Sequence, residues 1–335
     1  MNPTEPPVLA PRPSDPEWPV DDLRRQWLAR ATRLTGLAGW AGLTGWVGTA
    51  AGLAGLATPP EVRAAPGGLP SQIDHAGSSP EWEKLRERLF RNRPIVTGSD
   101  SLVQLVVPLR AAYGASVPVK IVSRIPQTAQ RHVRRLTLLV DKNPSPVAAT
   151  LELSLALGQA DFETRLRVDE YGHMRVIAEL DDGSLHAASR YVKVSGGCSA
   201  PPNRDKMHLI GQTQLRLPEG LRPAGQPSIA EVSVLHPNDT GFELNQVTVM
   251  YIPPHFVRAI RVAYDGERLF DLDCDFSVSE NPTWRFHFLP RRDADGRGIG
   301  RLTAEVDDTK DGHFRGALDL AAALADRTGS GERAL

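Results

Sequence analysis

Apolar and polar residues alternate with a period of two along most of the chain beyond residue 116: Val117, Val119, Ile121; Leu136, Leu138, Val140; Leu151, Leu153, Leu155; Leu166, Val168; Val176, Ala178, Leu180. A strand sends successive side chains to opposite faces, so each run predicts a short strand with one face in a core. Asp182-Gly183 supplies hairpin-turn chemistry before a last strand of this series, Ala188 to Val194. The run GGCSAPPNRDK, 196–206, then interrupts the pattern. A second series follows: Ala230, Val232, Val234; Ile260, Val262, Tyr264 up to an Asp265-Gly266 turn; Trp284, Phe286, Phe288; and Leu302, Ala304, Val306. Two all-β units of about 110 residues each fit this spacing and predict sandwiches.

One segment reads differently. Ser79 can cap a helix with Pro80 at its first position, and Trp82, Leu85 and Leu89 then share one face while Glu83, Lys84, Arg86, Glu87 and Arg88 fill the rest. The predicted organisation is a leader over 1–64, a linker over 65–78, a first sandwich over 79–200, an interdomain segment over 201–210, a second sandwich over 211–318 and a tail over 319–335 with a short helix.

Within the leader, Arg24-Arg25 precedes Gln26, Trp27 and Leu28, which is similar to the twin-arginine export motif with Trp in place of Phe. Leu34 to Ala57 is uncharged and long enough to span a bilayer. Its seven Gly and three Thr, against six Leu and Val, make it a weak anchor, since those six contribute only about −2 to −4 kcal/mol of insertion free energy. A cleavable export signal is expected, with Val62-Arg63-Ala64 as the small-residue cleavage site and no stable membrane insertion afterwards. An uncleaved anchor would leave the same residues outside the cytoplasm, so periplasmic localisation is expected either way.

Composition narrows the function. Lys and Arg number 39 against 40 Asp and Glu, a net charge of −1, so no basic excess points to nucleic acid. Cys198 and Cys274 are the only cysteines, which excludes a disulfide scaffold and a four-thiolate zinc site. The nine histidines never fall at i,i+2 or i,i+4, so there is no local metal signature. No nucleophile elbow, phosphate loop or dinucleotide fingerprint occurs, and no cofactor is expected.

Cys198 is the sharpest feature. Gly196 and Gly197 before it, and Ser199-Ala200-Pro201-Pro202 after it, predict an exposed thiol on a mobile segment, unusual for a residue type that is normally buried. Arg190, Lys193, Arg204 and Lys206 are close in sequence and would favour the thiolate or hold an anion if they approach the sulfur. A Cys198–Cys274 disulfide or an inert loop thiol are the structural alternatives. Cys274, within LFDLDCDFSV, is expected to point into a sandwich core.

Several blocks resemble a known family. VDKNPSPVAATLELS at 140–154 and TRLRVDEYGHMRVIAELDDGSLHAASRYVKVSGGC at 164–198 are similar to the sulfur-oxidation carrier subunit SoxY. HPNDTGF at 236–242, YIPPHFVRAIRVAYDGERLF at 251–270 and FSVSENPTWRFHF at 276–288 are similar to its partner SoxZ. Their succession in one chain resembles the fused SoxYZ-like carriers described as quinoprotein dehydrogenase-associated. The resemblance implies two immunoglobulin-like β-sandwiches in tandem and a non-enzymatic periplasmic carrier. In that family a Gly-Gly-Cys-Gly-Gly arm holds sulfur intermediates on its cysteine. Gly196, Gly197 and Cys198 match its first three positions, Gly196 and Gly197 then giving arm flexibility and Cys198 the covalent cargo attachment, while Ser199 and Ala200 replace the last two glycines. The implied partners are periplasmic sulfur-oxidation enzymes or a quinoprotein dehydrogenase system. For the latter the chain would be an interaction or chaperone module with Cys198 dispensable, and a Cys198/Cys274 redox pair is a third alternative.

Overall fold

The computed structural model describes residues 77–321. The expected leader with Arg24 and Arg25, most of the linker, and the tail beyond 321 lie outside the described residues.

The period-two runs become strands that stack in two layers. Strands β1 (Ile95–Val96), β4 (Val133–Val140), β5 (Val147–Leu153), β7 (Gly172–Leu180) and β8 (Leu185–Val192) join β11 (Val257–Tyr264), β12 (Glu267–Cys274), β16 (Arg301–Asp308) and β17 (His313–Asp319) in a nine-stranded sheet, ordered β1-β8-β7-β4-β5-β12-β11-β16-β17. Facing it is a six-stranded sheet, β2-β3-β6-β13-β10-β9, made of β2 (Val103–Val106), β3 (Val117–Ser123), β6 (Phe162–Leu166), β9 (Thr213–Arg216), β10 (Ser228–Val234) and β13 (Thr283–Phe288). A small ribbon pairs β14 (Arg291–Arg292) with β15 (Gly298–Ile299). Each half of the chain supplies both layers of a sandwich, and the two tandem sandwiches meet edge to edge.

The seam between the halves is antiparallel. On one layer β5 pairs with β12, setting Leu153 opposite Phe270 and Leu151 opposite Leu272; on the other, β6 pairs with β13, setting Phe162 opposite Phe286. Phe270 makes edge-on contacts with Phe162 at 5.3 Å and with Phe286 at 5.0 Å between ring centroids, so the core runs unbroken from one half into the other. Edges that would otherwise be open are thereby used up against each other.

Helix α1 (Pro80–Phe90) begins as predicted: Ser79 Oγ accepts the Trp82 N–H at 3.0 Å. Trp82, Leu85 and Phe90 pack on Leu139, Ile177, Leu185 and Ala187, covering the outer face of the nine-stranded sheet. The Arg175 guanidinium sits 4.4 Å over the Trp82 ring and pairs with buried Asp141 at 2.6 Å. At the β11–β12 hairpin, Asp265 (φ 48°) and Gly266 (φ 79°) adopt the two left-handed conformations a tight turn of this kind requires. Among the described residues no helix is long and apolar enough to cross a membrane.

Candidate functional site around Cys198

Strand β8 ends at Val192, and the chain reaches Cys198 in contact with the segment that follows β6. Gly196 N–H donates to Asp169 O at 2.8 Å and Gly197 N–H to Val168 O at 3.0 Å. Cys198 N–H donates to Asp169 Oδ1 at 3.3 Å, and Cys198 O accepts from Thr240 Oγ1 at 2.6 Å. Arg167 Nη1 donates to Gly197 O at 3.0 Å and to Ala200 O at 3.2 Å.

The expected exposed thiol on a flexible arm is therefore corrected. Cys198 is 1% exposed and packs in a cluster with Phe256, Phe276 and Phe242. Neighbouring Phe rings cross at steep angles, with centroids 5.7 Å apart for Phe242–Phe276 and 6.0 Å for Phe256–Phe276. The glycines serve close approach here. A Cβ on Gly197 would lie 2.3 Å from Gly114 O and 2.5 Å from Val168 O, so only glycine allows this backbone-on-backbone contact. Gly196 holds φ 74° in the left-handed region. Both cysteines are free, which removes the disulfide alternative in this structure. Cys274 packs against the main core at the seam, opposite Ala149.

The electrostatics are also unlike the expectation. Burial pushes the Cys198 thiol well above its ordinary range, Asp169 pushes it further, and Arg167 opposes them. Burial likewise raises the Asp169 carboxyl, against the lowering effect of the Cys198 N–H. None of the four basic residues proposed from sequence proximity acts in this way. Arg190 and Lys206 are exposed, and Lys193 offers its backbone N–H to Leu109 O at 2.8 Å. Arg204 is consumed by Asp239 and Glu243, each at 2.7 Å. The cation that counts is Arg167. Its alternation within TRLRV marked a strand but not a partner, because the contact forms only when the chain returns 30 residues later.

A second buried cluster braces the cover over Cys198. His236 Nε2 lies 3.3 Å from His255 Nε2 and 3.5 Å from Asp308 Oδ2, while His255 Nε2 lies 2.8 Å from the same oxygen. These three atoms lie within 4.8 Å of one another, a spacing a small cation could bridge. The hydrogen bonds assign protons instead. Asn238 N–H donates to His236 Nδ1 at 3.1 Å, which places that ring's proton on Nε2, the atom facing His255 Nε2 and Asp308 Oδ2. Asp308 Oδ1 accepts the N–H groups of Lys310 and Gly312 at 2.7 and 2.8 Å, which keeps the carboxylate ionised. Spacing along the chain could not have revealed this group, whose histidines are 19 residues apart. Reciprocal backbone bonds between Asp239 and His255, at 2.7 and 3.0 Å, close the stem of the intervening loop. Thr240 and Phe242 at its base cover Cys198, and Val247, Val249, Met250 and Tyr251 at its tip are exposed.

The family model of sulfur oxidation protein SoxY matches residues 86–198, and that of sulphur oxidation protein SoxZ matches residues 216–319. No curated protein sequence matches the chain. Among solved structures, the sulfur carrier protein SoxY from Chlorobium limicola f thiosulfatophilum is similar at 23% identity, over 36% of this chain and 96% of that one, with a TM-score of 0.28. A superoxide reductase (neelaredoxin) from Ignicoccus hospitalis is similar at 14% identity, over 30% of this chain and 95% of that one, with a TM-score of 0.27. These two likenesses concern parts of the fold and say nothing of chemistry. The SoxY match ends on Cys198, and the SoxZ match begins 18 residues later, beyond the segment that Arg204 ties to the Cys198 cover. The chain belongs to the SoxYZ sulfur-oxidation carrier family, with a SoxY domain followed by a SoxZ domain in one polypeptide.

Proposed function

We propose that the protein is a periplasmic carrier that holds a sulfur-containing group covalently on Cys198 and presents it to sulfur-oxidation enzymes without itself being a catalyst. The observation that carries this reading is the position of Cys198: it is the last residue of the SoxY match and lies under residues of the SoxZ half. Loading by exchange needs no net electrons. The Cys198 thiolate attacks a sulfur of a disulfide-type donor, a new sulfur–sulfur bond forms, and the donor's other sulfur leaves as its thiolate.

The sulfur must be uncovered for this, and two routes differ in cost. Releasing residues 196–200 breaks six hydrogen bonds, roughly 6 kcal/mol at about 1 kcal/mol net each. Swinging the half-buried Phe242 ring aside forfeits only about 2 kcal/mol of apolar burial. In this reading Phe242 is the gate, and the segment beneath it stays seated.

Intact-mass spectrometry of protein from the periplasmic fraction tests both cargo and compartment. A fraction should carry an adduct on Cys198 that a reducing thiol removes, and an Arg24→Lys/Arg25→Lys precursor should stay in the cytoplasm. Burial of the thiol favours a second reading, an interaction or chaperone module for a quinoprotein dehydrogenase in which Cys198 only packs. Unmodified Cys198, with an unchanged host phenotype after Cys198→Ser, would select that reading and reject the carrier.

A further inference from the structure

A guanidinium buried without a carboxylate is costly, and a charge left in that state points to a missing partner. Arg167 is 1% exposed. Besides its bonds to Gly197 O and Ala200 O, its Nη2 donates to Asn238 O at 3.4 Å. Its Nε is shielded from water and has no acceptor. Among the described residues no carboxylate forms an ion pair with it. Glu280 and Asp239 act on its charge from a distance without pairing with it: Asp239 and Glu243 pair with Arg204, Asp169 Oδ1 accepts the Cys198 N–H at 3.3 Å, and Glu280 accepts the Asn203 N–H at 2.7 Å. The positive charge is thus solvated by three carbonyls, two of them flanking Cys198, and keeps an unused donor. Of the charges that act on it, that of a Cys198 thiolate is the largest.

We propose that Arg167 is the anion receptor of this site, pairing with a negatively charged group carried on Cys198 and so selecting anionic over neutral cargo. The proposal rests on the carrier reading and adds to it the residue that recognises the charge of the cargo. A sulfonate-terminated adduct brings three acceptor oxygens and a delocalised charge. A planar guanidinium with a free Nε–H can bind such a group through more than one hydrogen bond.

Two reagents load the same sulfur with opposite character. Tetrathionate reacts with the thiolate to leave an S-linked thiosulfonate anion on Cys198 and releases thiosulfate. Methyl methanethiosulfonate leaves a neutral methylthio group and releases methanesulfinate. In a Cys274→Ala background, the ratio of the two loading rates cancels thiolate fraction and gate opening. It should fall on the order of tenfold in Arg167→Gln and be largely retained in Arg167→Lys. An unchanged ratio in Arg167→Gln would overturn the role of Arg167 and leave the carrier standing. Failure of native Cys198 to react with either reagent would reject the carrier reading, and Arg167 with it. If Arg167→Gln does not fold, the Arg167-containing protein decides: the thiosulfonate-loaded form should melt above the methylthio-loaded form, and an equal or lower midpoint overturns the proposal.

Discussion

Around Cys198, single atoms decide what the site can do. Gly197→Ala should destabilise the protein by more than about 2 kcal/mol in urea unfolding, because its Cβ meets two carbonyl oxygens of the main chain, which cannot step aside. Phe242→Ala should cost less in stability and speed native-state maleimide labelling of Cys198 on the order of tenfold, since it removes the half-buried part of the cover. Equal labelling rates would move the gate elsewhere. The Gly-Gly-Cys triplet was legible in the sequence, but its consequence was not. Glycines before a cysteine fit a loose arm as well as a close contact, and Gly114, whose backbone abuts Gly197, lies over 80 residues away in the chain. Arg167, Asp169 and Thr240 escaped for the same reason: their approach to Cys198 spans 29 to 42 residues.

The buried histidine cluster carries a pH dependence whose sign follows from its protons. Burial, with His255 adding to it, lowers His236 from 6.5 to about 4. Against its own desolvation, Asp308 is held down to about 2 by His255 and by the N–H groups of Gly312 and Lys310. A group whose folded pKa is depressed contributes stability that is complete above its unfolded pKa and is lost as pH falls through the folded one. The stability from His236 should therefore decline from about pH 6.5 towards 4, and that from Asp308 from about 3.8 towards 2. His186 and His287, also lowered by burial, act in the same direction as His236. Urea midpoints measured between pH 7 and 4 should fall in the parent and fall less steeply in His236→Gln. A parallel slope in that variant would remove His236 from the account.

At the scale of elements, the alternation of apolar positions found the strands that bury a full face, such as β3, β4, β7 and β13. It missed β1, β2, β9, β14, β15 and β17, which are short or lie at sheet edges, where neighbours on one side are missing and polar residues are tolerated, and it drew no run for the central β12, where buried Leu269 and Phe270 are adjacent and break the alternation. The alternation states which face of a strand is buried, not which strand lies beside it. The β5–β12 and β6–β13 pairings were therefore invisible in the sequence, although the apolar residues that make them were in plain view. Phe270 is the element-scale anchor of the seam, fully buried between Phe162 and Phe286. Phe270→Ala should cost about 3–5 kcal/mol in urea unfolding. A loss below about 1 kcal/mol would mean that the seam closes without its central ring.

For the whole molecule, the seam should hold the two halves together without the covalent link between them. Five consecutive residue pairs join β5 to β12, from Leu153–Phe270 to Ala149–Cys274, and β6–β13 continues the join on the other layer. Side chains cross it as well: Ser145 Oγ donates to Asp275 Oδ2 at 2.8 Å and Asn143 Nδ2 to Ser277 Oγ at 3.0 Å. The link itself is open, with Asn203, Asp205, Lys206, Met207 and His208 all exposed. A protease site placed at Asp205-Lys206 should therefore be cut in the native protein, and the two fragments should co-elute in gel filtration at micromolar concentration, separating only in denaturant. Their joint melting temperature should become concentration-dependent, because cutting turns an intramolecular association into a bimolecular one. The same experiment bears on Cys198, since its cover of Phe242, Phe256 and Phe276 comes wholly from the second fragment. In the nicked complex the thiol should stay as slow to react as in the intact chain. Fragments that separate without denaturant would show that the linker, and not the seam, keeps the two sandwiches and the cover over Cys198 in place.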